Sequence, residues 1–326
     1  MKKSKYAVGV VGATGLVGGS FIALMEKRGF PVSELRAFAS PKSQGKRLYA
    51  YGGYLPVSTP TDGCFDGLDF VFFAAGKDVS LSLAEKAEKA GATVIDNSSA
   101  FRSDDDIPLV VPEINFADIN LDARRIIANP NCSTIQAVIP LSVLEKNYGI
   151  ERIIYTTYQA VSGSGRKGIA DLRLTRNGFS PRYYPAPTAE TCIPQIGEIL
   201  PDGYSEEERK MSAETRKILK TDAAVSATCV RVPVENCHAV SVEAVLKTPF
   251  DLNSVRKELS ETESVVTTDV PYAAQANGTG KVFVGRLRKS AAAENGIAFI
   301  TYADNLLRGA AYNAVVIAEK IAAEYK

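Results

Sequence analysis

The sequence contains one histidine and no tryptophan among its 326 residues. Any reaction that needs an imidazole near neutral pH must therefore use His238. The five cysteines follow no spacing typical of a metal site or a disulfide framework, so we expect no bound metal. Their odd number favours reduced thiols and a cytoplasmic location. They are Cys64, Cys132, Cys192, Cys229 and Cys237.

Neither sign of charge dominates, because 38 lysines and arginines face 37 aspartates and glutamates. A formal net charge of +1 disfavours nucleic acids and membrane surfaces as partners. Long apolar runs are also missing, since none approaches the roughly 20 residues that a membrane-spanning helix needs. The basic start, residues 1–8, lacks an apolar core and a cleavage site, so it predicts a lead into a strand rather than a signal peptide.

In the first third of the chain, short apolar runs alternate with helical patterns. Strand, helix and strand at this spacing predict parallel βαβ units and a doubly wound sheet. Residues 69–75 are almost wholly apolar, which is typical of a strand buried on both faces. The predicted strands are residues 6–11, 35–39, 69–75 and 92–96, and the predicted helices are residues 20–28 and 81–90.

From Glu151 onward, β-branched and aromatic runs dominate and few helices are expected. The pattern predicts an α+β domain with a mainly antiparallel sheet. A helix is predicted over residues 205–219 and another over residues 305–325, with residues 177–194 as an ordered loop. The predicted strands are residues 152–161, 225–234, 240–246, 281–287 and 296–302.

A glycine-rich segment follows the first predicted strand. Gly12, Gly15 and Gly18 permit a tight turn and a close approach of the backbone to a pyrophosphate, which the next helix would bind at its N-terminus. The intervening Thr14, Leu16 and Val17 are then expected to line the cofactor site. The position between strand and helix is the context that this interpretation requires, and a glycine turn without a ligand is the alternative.

The second predicted strand ends without an acidic residue. An NAD-selective chain places Asp or Glu there to bind the ribose 2′-hydroxyl. Here the corresponding loop offers Ser40, Lys42 and Ser43, which suit a 2′-phosphate. The loop therefore favours NADP, and a solvated polar loop is the alternative.

Cys132 stands directly before an apolar helical stretch, after Pro130 and Asn131 have ended a strand. A helix N-terminus lowers a thiol pKa and favours the nucleophilic thiolate. Asn131 could donate a hydrogen bond to a developing oxyanion. The alternative for Cys132 is a buried structural thiol, which is how we interpret the other four cysteines.

A thiolate beside a nicotinamide cofactor suits reduction of an acyl phosphate through a thioester. The thiolate expels phosphate, hydride reduces the thioester, and the product leaves as an aldehyde. A general acid–base with a pKa near 7 would serve the proton transfers, and His238 is the single candidate. A lone histidine is otherwise an ordinary polar or core residue.

Several segments together resemble the aspartate-semialdehyde dehydrogenase family over nearly the full chain. The most specific is the cysteine motif at residues 129–134. The others are the cofactor loop at 12–18, the stretch at 101–113, the motif at 157–163, the helix at 206–215 and the closing helix at 304–313.

The resemblance implies a complete set of roles. Cys132 would be the nucleophile, His238 the acid–base, and Gln159 would orient the acyl group. Arg102 and Lys210 would hold phosphate, Arg231 the substrate α-carboxylate, and Glu207 its α-amino group. Near the nicotinamide, the resemblance places Ser162, Gly163 and Asn313.

The same resemblance implies an overall organisation. Residues 1–130 with 305–326 would form a Rossmann-type NADP-binding domain, and residues 131–304 a catalytic and dimerisation domain of a homodimer. The substrate would be L-aspartyl 4-phosphate, reduced to L-aspartate 4-semialdehyde on the route to lysine through diaminopimelate, threonine and methionine.

The sequence departs from the family pattern at two places. Cys237 stands where glycine often precedes the histidine, and Ser164 stands where alanine is common. The nearest rival is N-acetyl-γ-glutamyl-phosphate reductase, whose motif tends to have Gly before the cysteine and whose substrate would leave Glu207 unexplained. A cofactor-binding protein without catalysis is the rival from another class.

Overall fold

A computed structural model describes residues 3–324 of the chain, which form two compact units. One unit extends to Pro130 and resumes at Ala310, and the other spans Asn131–Gly309. Asn305, the predicted start of the returning segment, lies in the second unit. It belongs there because its Oδ1 accepts the Cys237 N–H at 3.0 Å.

The first unit contains a seven-stranded sheet in the order β3-β4-β2-β1-β5-β6-β7. Six of its strands, from β4 to β7 in this order, are neighbours in a parallel array, so the predicted doubly wound parallel sheet is confirmed. The strands are β1 Tyr6–Val11, β2 Val32–Phe38, β3 Arg47–Ala50, β4 Gly53–Ser58, β5 Phe70–Phe73, β6 Thr93–Asp96 and β7 Ile126–Ala128. Helices α1 Leu16–Arg28 and α2 Lys77–Lys89 are the crossovers after β1 and β5.

The central strands could be predicted from the sequence because they are buried. Every residue of β1 and β5 is buried, as expected for strands covered on both faces. The β3–β4 hairpin was not predicted, because its side chains are mostly exposed and show no apolar alternation. Tyr49 and Tyr54 pair across it with ring centroids 5.4 Å apart.

The second unit contains a six-stranded sheet in the order β11-β12-β13-β10-β8-β9. Strand β10 pairs antiparallel with β8 and β13, and β12 pairs antiparallel with β13, which confirms the mainly antiparallel sheet. Two outer pairs, β8–β9 and β11–β12, are parallel. The strands are β8 Ile150–Gln159, β9 Ala224–Arg231, β10 His238–Leu246, β11 Val265–Thr267, β12 Val282–Lys289 and β13 Gly296–Ala303.

Five helices accompany this sheet: α3 Cys132–Tyr148, α4 Gly165–Arg176, α5 Glu206–Leu219, α6 Leu252–Ser260 and the short α7 Ala273–Ala276. The expectation of few helices was therefore wrong. Helix α4 carries two glycines and many polar residues, which hid its pattern, and α6 has only nine residues. Helices α3, α5 and α6 pack on one face of the sheet.

The opposite face of the second sheet is partly exposed. Side chains alternate along β8, so that Ile154 and Tyr158 point away from the helices and are 47% and 44% exposed. In register with them lie Ser226 and Val230 on β9, and Glu243 and Ala239 on β10. The cross-strand register places all these side chains on one surface, which we call the open face.

The closing segment is less regular than predicted. A π-helical turn, Leu307–Ala311, precedes helix α8, Tyr312–Glu324, and the predicted last residue, Tyr325, lies outside the described residues. The loop over residues 177–194 is organised by Asp171, whose carboxylate accepts the backbone N–H groups of Arg182, Tyr183 and Tyr184. No helix within residues 3–324 combines the length and apolar character needed to cross a bilayer.

Candidate active site

Cys132 is the first residue of α3, as its sequence context predicted. Asn131 is the N-cap, and its Oδ1 accepts hydrogen bonds from the backbone N–H groups of Ser133 at 2.9 Å and Thr134 at 3.3 Å. The half-buried thiol therefore stands at the positive end of the helix dipole, where a thiolate is favoured.

Gly309 limits the space beside Cys132. A β-carbon at Gly309 would lie 2.6 Å from the Cys132 β-carbon, which is closer than real β-carbons approach. The π-helical turn that carries Gly309 therefore packs its backbone directly against the cysteine. A glycine inside a helical sequence pattern was the one available sign of this contact.

The side chains of Asn131 and Gln159 both donate hydrogen bonds to the carboxylate of Glu207. Asn131 Nδ2 donates to Glu207 Oε1 at 2.7 Å, and Gln159 Nε2 donates to the same oxygen at 3.3 Å. The side chain of Asn131 is thus committed to capping α3 and to Glu207, and its proposed bond to an oxyanion stays a prediction. Glu207 and Lys210 lie three residues apart on α5 and share a face of that helix.

The backbone of one residue, Ala160, contacts both His238 and Arg231. The backbone N–H of Ala160 donates to His238 Nδ1 at 3.0 Å, and the Ala160 carbonyl accepts from Arg231 Nη1 at 2.6 Å. Ala160 follows Gln159 directly at the end of β8, so the three polar side chains converge there. Sequence reasoning missed Ala160 because its contribution comes entirely from the backbone.

The bond to Ala160 fixes the protonation of His238. A backbone N–H can only donate, so Nδ1 carries the lone pair and the proton of the neutral ring is on Nε2. Complete burial, followed by the charge of Arg231, lowers the pKa of His238 well below its ordinary 6.5. This lowering favours the neutral ring and moves the pKa away from the value near 7 that suits a general acid–base.

Two buried side-chain nitrogens in this region, His238 Nε2 and Arg231 Nε, have no hydrogen-bond partner among residues 3–324. A β-carbon at Gly163 would lie 3.3 Å from both His238 Nε2 and Arg231 Nη1, so Gly163 leaves this side of the two side chains open. Buried polar groups are normally paired, which suggests that a substrate completes them.

The residue before His238 is conformationally unusual. Cys237 has a φ of 72°, in the left-handed region that favours glycine, and Asn305 holds its N–H at 3.0 Å. Asn305 Nδ2 also donates to Ser162 Oγ at 2.9 Å. The departure from the family's glycine is thus accommodated as backbone strain next to the histidine.

The remaining cysteines differ among themselves. Burial raises the pKa of Cys229 and of Cys237 to about 12, so both thiols are inert. Cys64 is half-buried, and burial raises its thiol pKa as well. Cys192 is exposed, so its interpretation as a structural thiol was wrong.

In the first unit, the glycine loop has the expected shape. Gly12 has a φ of +86°, and a β-carbon there would lie 2.6 Å from the Ala74 carbonyl oxygen. A β-carbon at Gly18 would lie 2.2 Å from the Gly12 carbonyl oxygen. Gly15 is the N-cap of α1, and its side-chain-free turn fits a pyrophosphate at the helix N-terminus.

The loop after β2 reaches this glycine turn. Thr14 Oγ1 donates to Ser43 Oγ at 3.4 Å, and the Ser43 N–H donates to the Ser40 carbonyl at 2.8 Å. Ser40 and Lys42 are exposed. These contacts bring the residues proposed for the 2′-phosphate to the glycine loop, because parallel strands end at the same edge of the sheet.

Three further predicted residues have defined surroundings. Arg102 Nη2 donates to the Asn97 carbonyl at 3.0 Å within the first unit. Asn313 is fully buried there, and its Nδ2 donates to the Val110 carbonyl and to Asn129 Oδ1. Lys210 Nζ lies 3.8 Å from Glu206 Oε2 on α5 and is partly exposed.

Two family models match the chain. Residues 7–121 match "Semialdehyde dehydrogenase, NAD binding domain", and residues 141–308 match "Semialdehyde dehydrogenase, dimerisation domain". Aspartate-semialdehyde dehydrogenase of Aquifex aeolicus is 41% identical over 335 residues, which cover 98% of this chain and 98% of that protein. The Bacillus subtilis enzyme is 40% identical over 335 residues, covering 96% of each.

Solved structures agree with these matches. Aspartate semialdehyde dehydrogenase II from Vibrio cholerae superimposes with a TM-score of 0.95 at 39% identity, covering 99% of this chain and 100% of that one. The same enzyme complexed with ASA gives 0.95 at 38% identity, with the same coverage. These likenesses favour the first interpretation over N-acetyl-γ-glutamyl-phosphate reductase. The chain therefore belongs to the semialdehyde dehydrogenase family and, within it, to the aspartate-semialdehyde dehydrogenases, which are oxidoreductases with a nicotinamide-cofactor-binding domain.

Proposed function

We propose that this chain reduces L-aspartyl 4-phosphate to L-aspartate 4-semialdehyde with NADPH, through a thioester on Cys132. The observation that carries the proposal is the backbone of Ala160, whose N–H and carbonyl hold His238 and Arg231, each with a buried nitrogen that has no hydrogen-bond partner among residues 3–324. A reacting acyl group and an α-carboxylate together supply acceptors for such nitrogens. The Vibrio cholerae structure complexed with ASA supports the same substrate class.

The charge and length of each side chain indicate which part of the substrate it would bind. Arg231, whose guanidinium is buried, would form a bidentate pair with the α-carboxylate. Glu207 would accept the α-ammonium in addition to the amides of Asn131 and Gln159. Gln159 would orient the acyl group, and the cationic Arg102 and Lys210 would bind the phosphate. The rival reductase acts on an acylated amine, which would leave Glu207 without this role.

The covalent chemistry belongs to Cys132. Its thiolate attacks the acyl carbon, the C–O bond to phosphate breaks, and phosphate leaves with the electron pair to give a thioester. NADPH, when bound, supplies the hydride for the reduction. The resulting tetrahedral oxyanion expels the Cys132 thiolate and forms the aldehyde.

His238 is placed to assist this collapse as a hydrogen-bond donor. The acyl carbon passes from thioester to aldehyde without any net proton uptake, so the oxyanion needs stabilisation more than protonation. A neutral imidazole with its proton on Nε2 provides such a donor in a water-poor site. Of the acid–base role that the sequence predicted for His238, we therefore propose only the donation of a hydrogen bond.

The preference for NADP rests on the loop after β2. Lys42, Ser40 and Ser43 offer one cation and two hydroxyls where an NAD-selective loop would offer a carboxylate. A solved aspartate semialdehyde dehydrogenase from Candida albicans with NADP shares 26% identity and a TM-score of 0.78, covering 98% of each chain. That structure supports the choice of cofactor, and the loop chemistry explains it.

We also infer that the protein is a homodimer formed through the open face. The matching family model is described as a dimerisation domain and spans residues 141–308, which include all six strands of the second sheet. Exposed Ile154 and Tyr158 would be buried by a second copy of this face. A twofold interface places like surfaces against each other, which suits the mixed apolar and hydroxyl side chains there.

The first experiment is reduction of NADP followed by absorbance, with L-aspartate 4-semialdehyde and phosphate as substrates. N-acetyl-glutamate 5-semialdehyde and the variant Cys132→Ala are the controls. We expect phosphate-dependent turnover of the aspartate compound alone, abolished in the variant. Turnover of only the acetylated compound would transfer the chain to the rival reductase, and no turnover of either would support a protein without catalysis.

A further inference from the structure

Glu214 on α5 contacts the residue that precedes the proposed nucleophile. Its carboxylate is buried, and Oε2 accepts the backbone N–H of Asn131 at 2.6 Å. A hydrogen bond from an amide to an ionised carboxylate is short and about twice as strong as a neutral one. The mechanism described above gives Glu214 no role, although its partner is adjacent to Cys132.

Helix α3 cannot satisfy this N–H by itself. The N–H of an N-cap residue is one of the four at a helix start that lack an intrahelical acceptor. Asn131 is the N-cap of α3, so an external acceptor must complete it. Glu214 supplies that acceptor from another helix.

The same face of α5 holds Asn131 a second time. Glu207 lies seven residues before Glu214, which is about two helical turns, and accepts from the Asn131 side chain at 2.7 Å. The backbone of Asn131 is thus fixed by Glu214, and its side chain by Glu207 and by the first turn of α3. Together with Gly309, which packs against Cys132, these contacts restrict the positions available to the Cys132 thiol.

We propose that Glu214 is a positioning residue, whose carboxylate orients the start of α3 and thereby the Cys132 thiol. The inference rests on the proposed function of Cys132 as the nucleophile. Glu214 acts through Asn131 and is assigned no contact with the substrate. Its removal should therefore lower kcat while substrate binding by Arg231 and Glu207 persists.

Two substitutions separate the hydrogen bond from the charge. Glu214→Gln keeps an oxygen acceptor at the same reach and loses the charge, whereas Glu214→Asp keeps the charge and retracts the oxygen by one methylene. The matched control is Thr215→Val, which removes the buried hydrogen bond of the next residue to Tyr155 and leaves Asn131 untouched. All variants are made with Cys192→Ser, because the exposed Cys192 would also react with thiol reagents.

Three quantities are measured on each folded variant: kcat and KM for L-aspartate 4-semialdehyde, the rate of Cys132 alkylation by iodoacetamide, and the thermal midpoint. For Glu214→Asp we expect kcat to fall by about 30-fold and alkylation to slow, with KM within about twofold of the parent, because small misplacements of a reacting group are costly. Glu214→Gln should recover most of the loss, and Thr215→Val should lower the thermal midpoint alone.

A parental kcat in Glu214→Asp, or an equal loss in Thr215→Val, would overturn the positioning role. So would a loss that lies entirely in KM, since that would mean a substrate contact. Failure of the underlying function looks different. In that case Cys132→Ser would retain turnover, whatever the Glu214 variants do.

Discussion

His238 is completely buried, and it is the residue that we propose as the hydrogen-bond donor of the reaction. Its Nδ1 is occupied by the Ala160 N–H, and both burial and Arg231 lower its pKa. The ring therefore enters the folded state neutral, whereas in the unfolded chain it takes up a proton below about pH 6.5. The histidine consequently costs stability in acid.

The sign of that effect can be measured. Below about pH 6.5 the unfolded state binds one more proton than the folded state, so the free energy of unfolding should fall by about 1.4 kcal/mol per pH unit relative to His238→Gln. Above pH 6.5 the two curves should run parallel. Urea unfolding between pH 5 and pH 8 tests this, and the absence of other histidines keeps the comparison simple. Parallel curves throughout would show that the ring is protonated in the folded protein.

The preference for NADP that we propose for Lys42 and Ser43 can also be tested at the scale of single residues. We expect Lys42→Ala with Ser43→Ala to raise the KM for NADP by roughly two to four orders of magnitude, because two contacts to a 2′-phosphate are worth roughly 1.5–3 kcal/mol each. The KM for NAD should change little, since NAD has no 2′-phosphate. Lys46→Ala, which removes a nearby exposed cation, is the control. Equal losses for both cofactors would contradict the assignment.

The residues proposed to react could be predicted from the sequence, but their supporting contacts could not. Cys132 stands out because a cysteine between a strand end and an apolar helix has few explanations, and His238 because it is alone. Ala160 and Glu214 act through backbone groups brought together from distant parts of the chain. Such contacts leave no periodicity, so only the folded structure reveals them.

At the scale of elements, strands with a strong burial pattern were predicted and those without were missed. Strand β5 reads directly as a buried strand because all four of its residues are apolar. The β3–β4 hairpin and α4 carry mixed, largely exposed sequences, whose conformation is set by tertiary contacts. The π-helical turn before α8 was likewise invisible, because one extra residue per turn does not alter the apolar pattern noticeably.

That turn yields a prediction. Gly309→Ala would place a β-carbon 2.6 Å from the Cys132 β-carbon, so the start of α3 must move. We expect kcat to fall by about 100-fold, because misplacing a reacting group by about 1 Å has that effect. Gly53→Ala, at a glycine with open space around it, should retain parental kcat. Steady-state kinetics measures kcat for both variants. An active Gly309→Ala enzyme would mean that the π-helical turn moves and that the start of α3 stays in place.

At the scale of the whole molecule, most of the residues proposed for catalysis and substrate binding lie in one unit. Cys132, Gln159, Glu207, Arg231 and His238 all lie within Asn131–Gly309, whereas the glycine loop and Arg102 lie in the other unit. The fold classes of both units followed from strand and helix alternation. The order of the second sheet did not, since strands adjacent in sequence, such as β9 and β10, are not neighbours in it.

We propose that the open face forms the dimer interface, and this can be tested with one substitution. Ile154→Asp should place a charge in the proposed twofold interface, so that light scattering gives the mass of one 35.0 kDa chain instead of twice that value. Leu81→Asp, at an exposed position of α2, is the matched control and should leave the mass unchanged. A dimeric Ile154→Asp protein would place the interface elsewhere.

The backbone conformation of Cys237 bears on the effect of a mutation to glycine at this position. A cysteine codon becomes a glycine codon by a single base change, and the residue already has the φ of 72° that glycine adopts without cost. The glycine found more often in the family is therefore one mutational step away. Cys237→Gly would therefore relieve the strain at this position, whereas any other side chain placed there would keep it.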